Sequence, residues 1–161
     1  MLRLSKKSDY ALIALKDLAL SAPGTSSSAR EIAGRYEIPT ELMAKVLQRL
    51  AKIGLVASHQ GTRGGYILAR PASQISVADV IQAIDGPVTL VACSEGDETC
   101  DQYSKCTIRD PLWRLKDRIV QYLTALTIHE LANDKALEPF PITISSPEPD
   151  PLEAVAQPVD H

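Results

Sequence analysis

Two short helix patterns joined by a tight turn, with a glycine-rich hairpin directly behind them, constrain the fold of this chain more than any other feature. Ser28 or a neighbouring serine can cap a helix over about 29–36, and Thr40 can cap a second over about 41–53, which Gly54 is placed to end. A short turn fixes two such helices at a steep angle, so the pattern predicts a helix-turn-helix. The residues expected on the apolar sides of the two helices are Ile32, Ala33, Tyr36, Leu42, Val46, Leu47, Leu50 and Ile53.

The next residues predict a β-hairpin. Residues 55–59 and 66–69 are typical of short strands, and the glycine-rich segment 60–65 between them is typical of a tight reversal. A hairpin directly after a helix-turn-helix forms a wing. The sequence therefore predicts a mainly α fold with a small β-hairpin, a winged helix-turn-helix.

Further helices are expected on both sides of this unit. Ser8 can cap a helix over 8–20, and Ser76 can cap one over about 77–84. Asp110 can cap a longer helix over about 111–127, with Pro111 at its first position, and a short helix at 128–134 follows. The chain divides into a winged helix-turn-helix domain (1–87), a cysteine-containing loop (88–109), a helical region (110–134) and a proline-rich acidic tail (135–161) that is expected to be disordered.

Charge is distributed unevenly along the chain. Residues 1–70 hold eleven Lys/Arg and five Asp/Glu, whereas residues 71–161 hold six and fifteen, so a net of +6 stands beside a net of −9. A basic half beside an acidic half suits a DNA reader with a separate regulatory part. The N-terminus lacks an apolar signal-peptide core and no apolar run is long enough for a membrane helix, so we expect a cytoplasmic, soluble protein.

The second helix of the helix-turn-helix would read DNA in the major groove. Lys45 and Arg49 suit phosphate or guanine contacts, Gln48 an adenine edge and Glu41 a cytosine edge. Ala44 is expected to face outward with them, and Arg63 at the tip of the wing suits a phosphate or the minor groove. The alternative interpretation is a small helical bundle with a hairpin that binds protein.

Three cysteines, Cys93, Cys100 and Cys106, lie within fourteen residues. Loops of this length let three thiolates converge, and with a fourth ligand they fit an iron–sulfur cluster. Structural zinc with mixed ligands, a thiol–disulfide switch and ordinary free cysteines are the alternatives. The histidines His59, His129 and His161 are distant in sequence and no phosphate-binding loop is present, so the chain is not expected to be an enzyme and no small-molecule substrate is implied.

Taken in order, these segments resemble a known family. The opening Met1-Leu2-Arg3-Leu4-Ser5-Lys6 with Asp9-Tyr10-Ala11, the wing Arg63-Gly64-Gly65-Tyr66 with Leu68-Ala69-Arg70, and the cysteines before Leu112-Trp113 are similar to a bacterial family of winged-helix iron–sulfur regulators that includes IscR, NsrR and the SUF-system assembly regulators. The resemblance covers about residues 1–134. It implies a homodimer held by the helix at 111–127, a pseudo-palindromic operator in double-stranded DNA, and a 2Fe-2S or 4Fe-4S cluster that changes operator affinity.

The resemblance also bears on the fourth ligand. IscR-like members place a histidine where this chain has Arg109, whereas NsrR-like members use an aspartate from the other subunit, at the position of Asp9. Cluster and metal ligands are therefore expected to be Cys93, Cys100, Cys106 and the partner chain's Asp9.

The function expected from sequence is a DNA-binding transcription regulator, acting as a repressor, whose operator binding is controlled by an iron–sulfur cluster and which regulates cluster-assembly genes. One alternative is a nitric-oxide or redox-sensing repressor of the same family. Another, from a different class, is a zinc-stabilised protein-interaction module.

Overall fold

A computed structural model describes residues 4–22, 24–60, 64–91 and 100–133. Cys93, Arg63 and the predicted disordered tail lie outside the described residues, so those expectations remain predictions.

Six helices and one hairpin make up the described fold. They are α1 (Lys6–Leu20), α2 (Ala29–Arg35), α3 (Thr40–Lys52), β1 (Val56–His59), β2 (Gly65–Leu68), α4 (Val77–Asp85), α5 (Arg109–Ala125) and α6 (Ile128–Ala132), with 3₁₀ turns at Ala72–Gln74 and Tyr103–Lys105. The predicted fold class, mainly α with a small β-hairpin and a long C-terminal helix, is confirmed. No helix among the described residues is long and apolar enough to cross a membrane.

Aliphatic side chains from α1, α2 and α3 form the core of the helix-turn-helix. Leu15, Ile32, Met43, Leu47 and Leu50 are fully buried there. Burial of side chains of this size stabilises a fold by roughly 1.5–3 kcal/mol each, so this cluster fixes the angle between α2 and α3. The hydroxyl of Ser28 accepts a hydrogen bond from the backbone N–H of Glu31, and the Glu31 side chain accepts one from the backbone N–H of Ser28. The predicted cap of α2 is therefore confirmed.

The wing is anchored to the loop that precedes α2. β1 and β2 pair antiparallel, from Val56 opposite Leu68 to His59 opposite Gly65. Ser27 adds a further bridge to β2, since its backbone exchanges two hydrogen bonds with Tyr66, at 3.1 and 2.9 Å. The close approach depends on a glycine, because a Cβ at Gly65 would lie 3.0 Å from the Ser27 backbone.

A short seam connects the end of α5 to the winged domain. The backbone N–H of Val77 donates to Leu126 and that of Ile128 donates to Ile75, at 2.8 and 2.9 Å. Ile75 and Ile128 are fully buried. The chain therefore leaves the domain along α5 and returns to pack α6 beside α1.

Three predicted helix starts are wrong. Ser5 rather than Ser8 caps α1, because its hydroxyl accepts from the Ser8 backbone N–H while the Ser8 side chain is buried. α3 begins at Thr40 itself, after Pro39, without a side-chain cap. Asp110 lies inside the first turn of α5, since the hydrogen bond from the Leu112 N–H to the carbonyl of residue 108 extends the helix toward the N-terminus.

Three side chains expected in the core are instead exposed. Tyr36 lies just beyond the end of α2, and Leu42 and Ile53 are 37% and 40% exposed. The core-facing line of α3 passes through Met43 and Leu47, and a neighbouring helical position points about 100° away from it.

Candidate nucleic-acid interface and cysteine turn

The outward face of α3 is polar and open. The α3 positions opposite its buried line are Glu41, Lys45, Gln48 and Lys52, all exposed. Three of them were expected from sequence to face DNA. Ala44 differs, because it lies on the flank of the helix and is half-buried.

A cationic groove lies on the other flank of α3. Lys7 of α1 and Lys45 and Arg49 of α3 line a cavity of about 260 Å³ whose floor includes Val46 and Ile84. The Arg49 Nε–H donates to the backbone carbonyl of Ala83 at 3.0 Å, which holds the guanidinium against the end of α4. The three cations therefore form one surface that combines two helices distant in sequence.

Sequence reasoning missed two cations near this surface. Lys7 was not selected because it precedes the helix-turn-helix in sequence and its proximity to α3 depends on tertiary packing. Lys52 was detectable, since it follows Lys45 and Gln48 at helical spacing on the same face.

A buried carboxylate connects α1 to the end of α2. Asp17 of α1 is 9% exposed at its side chain and accepts a 2.6 Å hydrogen bond from the Arg35 guanidinium and a 3.2 Å bond from the Tyr36 hydroxyl. Burial, followed by the charge and hydrogen bond of Asp17, raises the pKa of Tyr36. The contacts connect α1 to the end of α2 and explain why Tyr36 turns away from the core.

Residues 100–106, the described cysteine-bearing part of the 88–109 loop, form a compact turn that is called the cysteine turn below. The backbone N–H of Tyr103 donates to the carbonyl of Cys100 at 2.8 Å, and that of Lys105 donates to Gln102 at 3.0 Å. Cys100, exposed, and Cys106, half-buried, are free thiols on either side of this turn. Within the described ranges no group of three His, Cys, Asp or Glu side chains is close enough to hold a metal ion, and Cys93 lies outside those ranges.

Arg109 holds the cysteine turn against α5. Its guanidinium lies 4.6 Å from the Tyr103 ring centroid and 5.7 Å from that of Trp113. Its NH1 group donates to the Tyr103 carbonyl at 3.2 Å and its Nε–H to Asp110 at 2.8 Å, and this hydrogen bond lowers the pKa of Asp110. At the position where IscR-like members are expected to have a histidine, this chain therefore has an arginine that packs against the turn and α5.

Asp9 lies in the first turn of α1 and is exposed. Its backbone N–H donates to the Ser5 carbonyl at 3.1 Å. No hydrogen bond or ion pair with another described residue reaches its carboxylate, which is available to a group from outside.

α5 is a long helix with little packing of its own. All its residues are described and none is buried. The large apolar side chain of Leu115 and the ring of Tyr122 are 48% and 43% exposed. The indole N–H of Trp113 is buried with no acceptor among the described residues.

An exposed polar face on α3, a paired wing and a cationic flank define a winged-helix DNA-binding protein. The family of iron-dependent transcriptional regulators called Rrf2 matches residues 4–134. The chain belongs to the Rrf2 family.

Individual relatives agree with this assignment. The HTH-type transcriptional regulator IscR of Pectobacterium atrosepticum is 38% identical over 135 residues, which cover 83% of this chain and 81% of the relative. The IscR of Escherichia coli O1:K1 / APEC is 36% identical over the same length. The predicted DNA-binding transcription regulator, rather than an enzyme, is confirmed.

Solved structures show the same fold. IscR of T. potens aligns with a TM-score of 0.65 and 27% identity over 86% of this chain and 93% of that one. CymR, the global cysteine regulator of B. subtilis, aligns with a TM-score of 0.68 and 26% identity over 83% and 98%.

Proposed function

We propose that this chain is a homodimeric repressor whose affinity for a pseudo-palindromic operator is set by an iron–sulfur cluster, and that it regulates cluster-assembly genes. The observation that carries the proposal is the pairing of a winged-helix reading face with two free thiols on one tight turn, in a chain that is 36–38% identical to regulators named IscR.

DNA recognition is assigned to two surfaces. Glu41, Lys45 and Gln48 are exposed on the outward face of α3 and can reach base edges or phosphates. Lys7 and Arg49 line the groove beside that face and supply phosphate contacts, which position the protein without reading sequence. Arg63 at the wing and Ala44 complete the proposed contact set.

The ligands of the cluster are proposed to be Cys93, Cys100, Cys106 and the partner chain's Asp9. Three thiolates and a carboxylate form a hard and soft donor set that iron accepts, and the 3₁₀ turn at Tyr103–Lys105 lies between two of the thiols in sequence. When bound, the group supplies a centre that oxidation, nitrosylation or loss of iron can alter. Arg109 holds the turn on α5 through its ring contact with Tyr103 and its hydrogen bond to the Tyr103 carbonyl.

Dimerisation is proposed to occur along α5. Its apolar positions Leu112, Leu115, Ile119 and Leu123 recur at helical spacing, and Leu126 at its C-cap continues the series. A 17-residue helix without a buried residue needs a partner surface.

Control of DNA binding follows from this arrangement. Ligands from both chains brace the cysteine segment of one protomer against α1 of its partner, and α1 packs on α3. Releasing that brace re-spaces the two reading helices. A differential affinity of about 1.4 kcal/mol already changes occupancy about tenfold.

Anaerobic purification of the full chain tests the proposal. The expected product is coloured and contains iron and acid-labile sulfide, which Cys106→Ser removes and Lys105→Ala, in the same turn, retains. A colourless protein with stoichiometric zinc would contradict the cluster.

The fourth ligand is tested by replacing one carboxylate at a time. Asp9→Ala should make the cluster labile to a ferrous chelator, whereas Asp101→Ala, which removes an exposed carboxylate beside Cys100 in sequence, should not. The reverse pattern would remove Asp9 from the ligand set.

A further inference from the structure

The side chain of Asp85 joins the end of α4 to the beginning of α1. One carboxylate oxygen accepts the Ser5 hydroxyl at 2.5 Å. The other accepts the Ser5 backbone N–H at 3.1 Å and the Ser8 hydroxyl at 2.8 Å. The two partners lie 80 and 77 residues away in sequence.

These contacts determine how α1 is capped. The Ser5 hydroxyl has a single proton, and because it donates that proton to Asp85 its lone pairs remain free to accept the Ser8 backbone N–H, at 3.2 Å. Ser8 is fully buried, so its own hydroxyl needs the acceptor that Asp85 supplies. Partial burial alone would raise the pKa of Asp85, but the hydrogen bonds from Ser5 and Ser8 and the charge of Lys7 outweigh it and lower the pKa, so the acceptor is charged at neutral pH.

Asp9 is part of the same turn. Its backbone N–H donates to the carbonyl of Ser5, the residue that Asp85 holds by two hydrogen bonds. The Asp9 carboxylate itself is exposed, so its direction depends on how the first turn of α1 is fixed.

Asp85 is also the last residue of α4, at the entrance to the cysteine segment. Gly86 follows with φ +90°, a conformation that glycine adopts readily, and its N–H closes the helix on Gln82. Cys93 lies eight positions beyond Asp85. One carboxylate therefore stands between the turn that presents Asp9 and the start of the loop that carries the cysteines.

We propose that Asp85 is a positioning residue, which fixes the first turn of α1 so that Asp9 is presented to the cluster of the partner chain. This inference rests on the proposed function.

The test is a double-mutant cycle on the anaerobically purified full chain, with the rate of cluster loss to a ferrous chelator followed by visible absorbance. Asp85→Ala should accelerate the loss about tenfold, the low end for residues that orient a ligand. In an Asp9→Ala background the same change should add less than about twofold, because the two residues act through one ligand. Independent, multiplicative effects would overturn the proposal.

Two variants exclude a general loss of stability. Ser8→Ala removes one of the hydrogen bonds to Asp85 with little change of volume, and it should accelerate cluster loss in the same direction. Asp79→Ala removes a carboxylate of the same helix that accepts from Ser76 and Arg70 at the far end, and it should leave the rate unchanged. Equal effects of Asp79→Ala and Asp85→Ala would overturn the positioning role. A wild-type chain without iron and sulfide would instead contradict the proposed function, and the inference with it.

Discussion

Removing one cation from the groove beside α3 should change how DNA binding depends on salt. Lys7 and Lys45 line that groove and are exposed. Each neutralised phosphate contributes about −0.9 to the slope of log affinity against log salt concentration. Lys45→Ala should therefore make the slope less negative by about 0.9, and the pair Lys7→Ala and Lys45→Ala by about 1.8.

The slope converts into an affinity ratio. Between about 50 and about 200 mM salt, one phosphate contact corresponds to an extra fall in affinity of about 3.5-fold, and two contacts to about 12-fold. The double variant should thus lose less affinity than the wild type over this range, although it binds more weakly at low salt.

A duplex of arbitrary sequence is sufficient for the measurement, because phosphate contacts do not depend on sequence. Fluorescence anisotropy at several salt concentrations gives the slope. Arg118→Ala, which removes an exposed cation of α5 away from α3, is the matched control and should keep the wild-type slope. If the double variant also kept the wild-type slope, the groove would not contact phosphate.

Three further predictions concern stability. Gly65→Ala should lower the thermal midpoint, because the new Cβ would lie 3.0 Å from the Ser27 backbone and relieving such a contact costs about 1–3 kcal/mol. The control Gly34→Ala on α2, where nothing lies within 4 Å of the new Cβ, should not lower it. Asp17→Ala should reduce the free energy of unfolding in urea by about 1–3 kcal/mol, since the Tyr36 hydroxyl loses its acceptor and the Arg35 guanidinium keeps only the Ser27 hydroxyl. Asp117→Ala, which breaks an exposed ion pair with Lys116, should change it by less than about 0.5 kcal/mol, and equal losses would refute the bracing role. Folding lowers the pKa of Asp85, so its stabilising contribution is complete above the ordinary pKa of an aspartate and is lost as the pH falls through the lower folded value. The urea midpoints of wild type and Asp85→Asn should therefore differ at neutral pH and converge in acid, and a constant difference would contradict this.

Local signals in the sequence predicted much of the fold. Ser28 and Ser76 were identified as caps from their position before apolar helix patterns, and both form capping boxes. The wing follows from two strand patterns around a glycine-rich reversal, and its strands pair as expected. These features depend on residues within a few positions of each other, so a single sequence contains the information that decides them.

Contacts between distant segments were not predictable in the same way. The cap of α1 moves to Ser5 because Asp85 lies beside it, and nothing near Ser8 in sequence indicates that Ser8 is buried. Lys7 joins the cationic groove only because α1 packs on α3. The exposed α3 residues Glu41, Lys45 and Gln48 could be predicted from sequence, since helical periodicity alone places them opposite the core.

The candidate cysteine site was likewise predictable from sequence only in part. Sequence spacing identified the thiols, and the structure adds the turn between Cys100 and Cys106 and the stacking of Arg109 on Tyr103, which no spacing rule indicates. The ligand set with Asp9 from a partner chain depends on two chains together and remains a prediction.

Control by a cluster is tested by comparing operator binding with and without it. An operator is first selected from a random-sequence pool with the anaerobically purified protein, and its affinity is then measured for that protein and for the same preparation after treatment with a ferrous chelator. If the cluster controls recognition, the two forms should differ in affinity for the operator by at least about tenfold, corresponding to about 1.4 kcal/mol, with no such difference for a duplex of arbitrary sequence. Equal affinities of the two forms for the selected operator would contradict control by an iron–sulfur cluster.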